Sequence, residues 1–187
     1  DVPADVHVAR SLDAEALAKL DAGGKVLLLV PPNRIRGDAL GPVKIGFSPI
    51  FWNTAWTKRQ APHTLGILCD PGHPALADFP TDFHTNWQWW ELITRSNPFI
   101  MSGLPSDMRP IVQVIDDWVT NRRLGLVFEA KMRKGRVVVC GIDLETDLSS
   151  RPVARQMRRS LLAYMGRDAF SPATTLNPDQ ITSLVRE

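Results

Sequence analysis

The run Lys25-Val-Leu-Leu-Leu-Val30, stopped by Pro31-Pro32, most restricts the folds open to this chain. A strand with one wet face alternates apolar and polar residues, whereas an unbroken apolar run has no wet face and must be covered on both sides, as in a parallel sheet. The residues before it supply part of the cover. A helix of about ten residues is predicted from Ser11 or Asp13, either of which can cap it, through Leu17 and Leu20 to the stop at Gly23-Gly24. A short strand at Val6 to Ala9 completes a βαβ opening.

Beyond Pro31 the chain changes character. As far as Pro62 it is rich in Pro, Gly and aromatics, including Phe47, Phe51, Trp52 and Trp56, and carries no sustained periodicity, so it reads as a long ordered excursion. Strands are then predicted at Thr64 to Asp70, Pro98 to Met101, Ile111 to Ile115, Leu124 to Ala130 and Arg136 to Ile142, the last two joined as a hairpin through Lys131 to Gly135. A helix is expected from about Thr85 to Ile93. Another runs from Pro152 to Met165, with Val153, Gln156, Met157, Leu161 and Tyr164 toward the sheet and Gly166 at its end. The division expected is one α/β domain over 1–170 and a tail over 171–187. A short helix follows Asn177-Pro178, and the tail, as a chain end, is expected to be loosely attached.

Composition narrows the function classes. With 187 residues, 44% of them apolar, the chain can bury one sizeable core. The net charge is only +2 and no basic stripe carries interleaved aromatics, so a nucleic-acid partner is not expected. Arg155, Arg158 and Arg159 lie at helical spacing and read as a solvated helix face. No stretch approaches the roughly 18 apolar residues of a membrane span. Cys69 and Cys140 sit in apolar β-rich runs and are expected to be buried free thiols.

Neither cofactor nor metal is expected. Phosphate-binding glycine motifs are missing, and His63, His73 and His84 are spaced ten and eleven residues apart in Pro-rich loops, unlike a ligand set. A glycosidase needs two carboxyl groups facing each other across a glycosidic bond. Glu91, Asp116, Asp117, Glu129, Asp143 and Glu145 are the carboxylates available for such a role. Asp116 and Asp117, at a strand's carboxyl end, lie where α/β ligands bind, but as neighbours in extended chain they point apart. Cys69 follows a strand, yet Ile67 and Pro71 stand where a nucleophile elbow needs small residues.

The segment Phe79-Pro-Thr-Asp-Phe-His-Thr-Asn-Trp-Gln-Trp-Trp-Glu91 carries the strongest functional signal. On a helix Trp87 and Trp90 are neighbours, while Trp89 points about 200° away from Trp87. The three rings cannot share one buried face, so at least one Trp leaves the local core. Exposed Trp beside His84, Asn86 and Gln88 suits either a domain interface or a sugar-stacking platform, since an aromatic face covers C–H surface while amides bond hydroxyls.

Together with that segment, Gly66-Ile-Leu-Cys-Asp-Pro-Gly-His-Pro-Ala75, Pro110-Ile-Val-Gln-Val-Ile-Asp116, Leu124-Gly-Leu-Val-Phe-Glu-Ala130 and Arg151-Pro-Val-Ala-Arg-Gln156 resemble the C-terminal region of large bacterial proteins related to glycoside hydrolase family 2, the β-galactosidase-like enzymes. The resemblance spans Val26 to Phe170. It implies a flavodoxin-like, class I glutamine amidotransferase-like three-layer sandwich, with a mostly parallel sheet and a C-terminal antiparallel hairpin. It also implies use as an accessory domain whose partners are the parent's other domains, with carbohydrate as the alternative ligand, in the periplasm or outside the cell. Catalysis is not implied. The amidotransferase elbow Cys and downstream His-x-Glu are missing, no His follows His84, and the Asn-Glu dipeptide of the family 2 acid/base does not occur. Family 2 hydrolysis also takes place on a separate (β/α)₈ barrel of roughly 250 residues.

Overall fold

The computed structural model describes residues 2–47 and 58–186; Phe51, Trp52 and Trp56 of the aromatic excursion lie outside them. The described residues form β1 (Val6–Ala9), α1 (Ala14–Asp21), β2 (Lys25–Leu29), β3 (Thr64–Cys69), α2 (Trp87–Ile93), β4 (Phe99–Ile100), β5 (Val112–Asp116), β6 (Leu124–Met132), β7 (Gly135–Cys140), α3 (Pro152–Met165) and α4 (Pro178–Thr182). Of the two candidate caps for α1, Asp13 is the one used: its Oδ1 accepts the amide of Ala16 at 2.9 Å.

The fold is α/β, built on an open mixed sheet in the order β1-β2-β7-β6-β5-β3, with β4 on β6. Parallel pairing is confined to β1–β2 and β2–β7, the half that contains the βαβ opening. The β7–β6 pair is antiparallel, as the expected hairpin requires, and the β6–β5, β5–β3 and β4–β6 pairs are antiparallel too, so the sheet is mixed where a mostly parallel one was expected. For the β6–β5 and β7–β6 pairs the cause is connection length. β5, β6 and β7 follow one another through short loops, and a short loop can only return a strand antiparallel to its neighbour.

Alternation along the central strands divides the core between two faces. Leu27 and Leu29 of β2, with Val138 and Cys140 of β7, join one cluster with Trp89, Leu92, Met157, Leu161 and Tyr164 of α2 and α3. Val26 and Leu28, with Val137 and Val139, join the other, under Ala16 and Leu20 of α1. Helices therefore cover both faces of β2, as its unbroken apolar run requires.

The tail is built into this second face, contrary to the loose attachment expected of a chain end. Leu176, Ile181 and Leu184 are buried in the α1-side cluster. The backbone of Lys131 exchanges hydrogen bonds with the tail at Thr174 and Leu176, and the amides of Arg36 and Arg186 donate to Leu184 and Arg34 at 2.9 and 2.7 Å. Leu176, Ile181 and Leu184, with Val185 partly buried beside them, give the segment enough to bury. The β3 edge, in contrast, is only partly covered. Residues 83–85 run beside it, with the Cys69 amide donating to Phe83 and the Ile67 amide to Thr85 Oγ1 at 2.7 Å. Gly66 permits that approach, because a Cβ there would stand 2.5 Å from the same hydroxyl oxygen.

Candidate functional site at the aromatic edge

Helix α2 starts at Trp87 instead of near Thr85 because Thr85 is still held against β3. Asn86 makes the turn: its Oδ1 accepts the Gln88 amide at 3.1 Å and its Nδ2 donates to Asp82 at 3.2 Å. Two turns of helix do not persist alone in water, so tertiary contacts must hold α2. Trp89 is fully buried, with its Nε1 donating to Thr81 Oγ1 at 2.9 Å and its ring edge-on to Phe79. Glu91 reaches across to accept the Ala154 amide at 2.8 Å, capping the first turn of α3 from outside that helix. Gln88 Nε2 donates to the Pro80 carbonyl at 2.9 Å.

With Trp89 locked inward, helical geometry turns its neighbours outward. Trp87 is 84% exposed and Trp90 48%, their rings edge to face at 6.1 Å, and Trp90 also meets Phe47 at 5.7 Å. The side chains of Lys44, Phe47, Pro62 and Trp90 border a shallow groove along the same helix. Around the β3 edge His84 is exposed, bridges Leu68 in the backbone, and lies 4.9 Å from the ring of Phe83. Phe83 is exposed too.

Sequence reasoning missed the open sheet face beside this edge. Leu68 and Ile115 project from β3 and β5 on the side that neither α2 nor α3 covers, and both are exposed, as are Trp118 and Val119 just beyond β5. The signal was present in β5. Ile115 falls out of phase with Val112 and Val114, and a Trp-Val pair follows two aspartates in a loop.

Asp116 and Asp117 are buried and engaged in local structure. Both Asp116 oxygens are taken by the Arg122 guanidinium, and Asp117 Oδ1 accepts the amides of Val119 and Thr120 at 2.9 Å. Arg122 also pairs with Asp38 at 2.6 Å, and Arg59 pairs with Asp38 at 3.3 Å. This cluster ties the loop after β2 to the end of β5. The remaining carboxylates are likewise occupied: Glu129 accepts from Tyr164 at 2.7 Å, Asp143 faces Arg151 at 3.5 Å and Glu145 pairs with Arg10 at 2.8 Å.

Neither thiol is prepared for attack. Burial and the nearby Asp70 push Cys69 up to about 11, and its Sγ donates to the Asp82 carbonyl. Cys140 is buried within β7 and pushed by burial up to about 12. A nucleophilic cysteine needs the opposite shift. His63 and His73 are lowered, mainly by desolvation, and are held by backbone: His63 Nδ1 accepts the Lys44 amide and His73 Nδ1 that of Ala75. Among the described residues no group of three or more His, Cys, Asp or Glu is arranged to hold a metal ion.

This edge therefore offers contact surface: aromatic rings held on a fixed frame, with the nearby amides engaged in holding the frame itself. Comparison with curated proteins gives no match. The family model described as "Domain of unknown function (DUF8487)" matches residues 7–186, and the chain belongs to that family.

Proposed function

We propose that this chain is a non-catalytic accessory domain of a larger β-galactosidase-like glycoside hydrolase, and that it seats its aromatic edge against the sugar-processing domains. The observation that carries this reading is the opposed placement of Trp89, fully buried, and Trp87, 84% exposed, two residues apart on one anchored helix. Exposed tryptophan on a rigid support is characteristic of a protein interface, where a large ring contributes area without losing much conformational freedom. The resemblance in sequence supplies the kind of parent and its setting in the periplasm or outside the cell. The finer fold reading, a flavodoxin-like sandwich of glutamine amidotransferase type, belongs to the same proposal. It draws support from the βαβ opening, helices on both faces and the β6–β7 hairpin.

The test is deletion of this domain from the natural gene product, followed by thermal melting, light scattering and glycosidase kinetics. At least one of stability, oligomeric state or kinetic constants is expected to change. Retention of all three would overturn the proposal.

A second reading, autonomous carbohydrate binding, is favoured by the exposure of Trp87 beside Asn86 and His84. It is the weaker, because Asn86 and Gln88 already use their amide groups on Asp82, Gln88 and Pro80. Titration of tryptophan fluorescence with galactosides, glucosides, uronides and rhamnosides separates the two. The docking reading expects no saturable change, and a saturable change abolished by Trp87→Ala would transfer the edge to sugar binding.

A further inference from the structure

A concave pocket of about 180 Å³ opens at the carboxyl ends of β1 and β2, away from the aromatic edge. Its floor is apolar, from Leu28 of β2, Val30 just beyond it and Ile181 of α4. Arg10, Arg34, Arg36 and Arg186 line it as well, which gathers positive charge around one small concavity. Arg10 is neutralised by Glu145 at 2.8 Å. The other three have no carboxylate partner among the described residues. Arg36 donates through Nε and Nη2 to the Val185 carbonyl at 3.2 and 3.0 Å, and Arg34 to the Arg186 carbonyl at 3.3 Å. Those bonds hold the Arg34 and Arg36 guanidinium groups without cancelling their charge.

We propose that this pocket binds a small organic anion with an apolar body, its carboxylate or equivalent group taken by Arg34, Arg36 and Arg186 and its body laid on Leu28, Val30 and Ile181. Three arguments converge. Arginine presents several donors in a planar fork matched to an oxyanion. A cavity of roughly 150 Å³ lined by aliphatic side chains accommodates a benzene ring, so a ring-sized or short-chain body fits the volume. Ligands of α/β sheets bind outside the carboxyl ends of parallel strands, which is where the pocket lies. The docked tail completes the site, since Ile181, Val185 and Arg186 all come from it.

Three probes titrated calorimetrically into the whole chain at low salt test the assignment: phenylacetate with both features, benzyl alcohol with the apolar body alone, and inorganic phosphate with the charge alone. Phenylacetate is expected to bind saturably, the other two at least about tenfold more weakly, and added salt should reduce its affinity. Arg34→Ala removes an exposed cation and Thr182→Phe fills the mouth while leaving all four arginines. Each is expected to weaken phenylacetate by about tenfold or more, with melting checked to establish that the variant is folded. The proposal is overturned by absence of saturable phenylacetate binding, by phosphate binding as tightly, or by affinity unchanged in either folded variant.

Discussion

Arg122 grips Asp116 through both carboxylate oxygens, Nε on Oδ2 at 2.8 Å and Nη2 on Oδ1 at 2.9 Å, and its own backbone amide adds a third bond at 2.7 Å. The Asp116 side chain is almost wholly out of water, so its charge is tolerated only while this partner stays in place. Hydrogen bonding and the charges of Asp116 and Asp38 in turn hold the guanidinium more firmly protonated than a free arginine. Arg122→Met leaves a buried carboxylate with no counter-charge and is expected to destabilise the fold by about 3 kcal/mol, read as a lower urea midpoint. A midpoint equal to that of the unaltered chain would show that the cluster is not structural, and would reopen Asp116 as a chemical group.

The two outward tryptophans and the inward one should separate cleanly under substitution. Trp89→Ala empties a core position and removes the anchor of α2, for which a loss of about 3–5 kcal/mol is expected. Trp87→Ala removes a ring that touches little of its own fold, and should change stability by no more than about 0.5 kcal/mol. Chemical unfolding of both variants is the check. Comparable losses would mean that Trp87 serves the fold, which removes the ground for treating its exposure as functional.

What was readable in the sequence, and what was not, follows the range of the interactions involved. The apolar run of β2 announced cover on both faces, and the 3.6-residue period separated Trp89 from Trp87 and Trp90, because both patterns are local. Strand order is different. That β7 lies beside β2, and β3 at the far edge, depends on pairings between segments distant in sequence, which no local pattern encodes. The same holds for Arg122 and Asp38, 84 positions apart, and for the arginine pocket, which exists only once the tail has docked against β2. Attachment of the tail is hidden for the same reason: a chain end argues for fraying, and Leu176, Ile181 and Leu184 meet their partners only in the folded chain.

Alkaline pH should weaken the fold through the thiols. Unfolded cysteines ionise near 9, whereas Cys69 and Cys140 in the folded chain hold their protons to about 11 and 12. Between those values the unfolded state binds fewer protons than the folded one, so stability must fall as pH rises. The window opens near pH 9, with a limiting slope of about 1.4 kcal/mol per pH unit for each thiol. Unfolding free energies measured from pH 8 upward, with Cys69→Ala and Cys140→Ala made separately, should show a shallower decline in each variant. An unchanged slope in both would contradict the assignment.

The central claim, that the aromatic edge is a docking surface, is tested most directly by hydroxyl-radical footprinting of Trp87 and Trp90, read by mass spectrometry in this isolated chain and in the intact natural gene product. In the isolated chain both rings should oxidise readily and Trp89 should not, matching their exposures of 84%, 48% and 0%. In the intact protein Trp87 and Trp90 should be protected to near the level of Trp89. Equal oxidation of Trp87 and Trp90 in the two samples would mean that nothing covers this edge, and the docking account would be wrong.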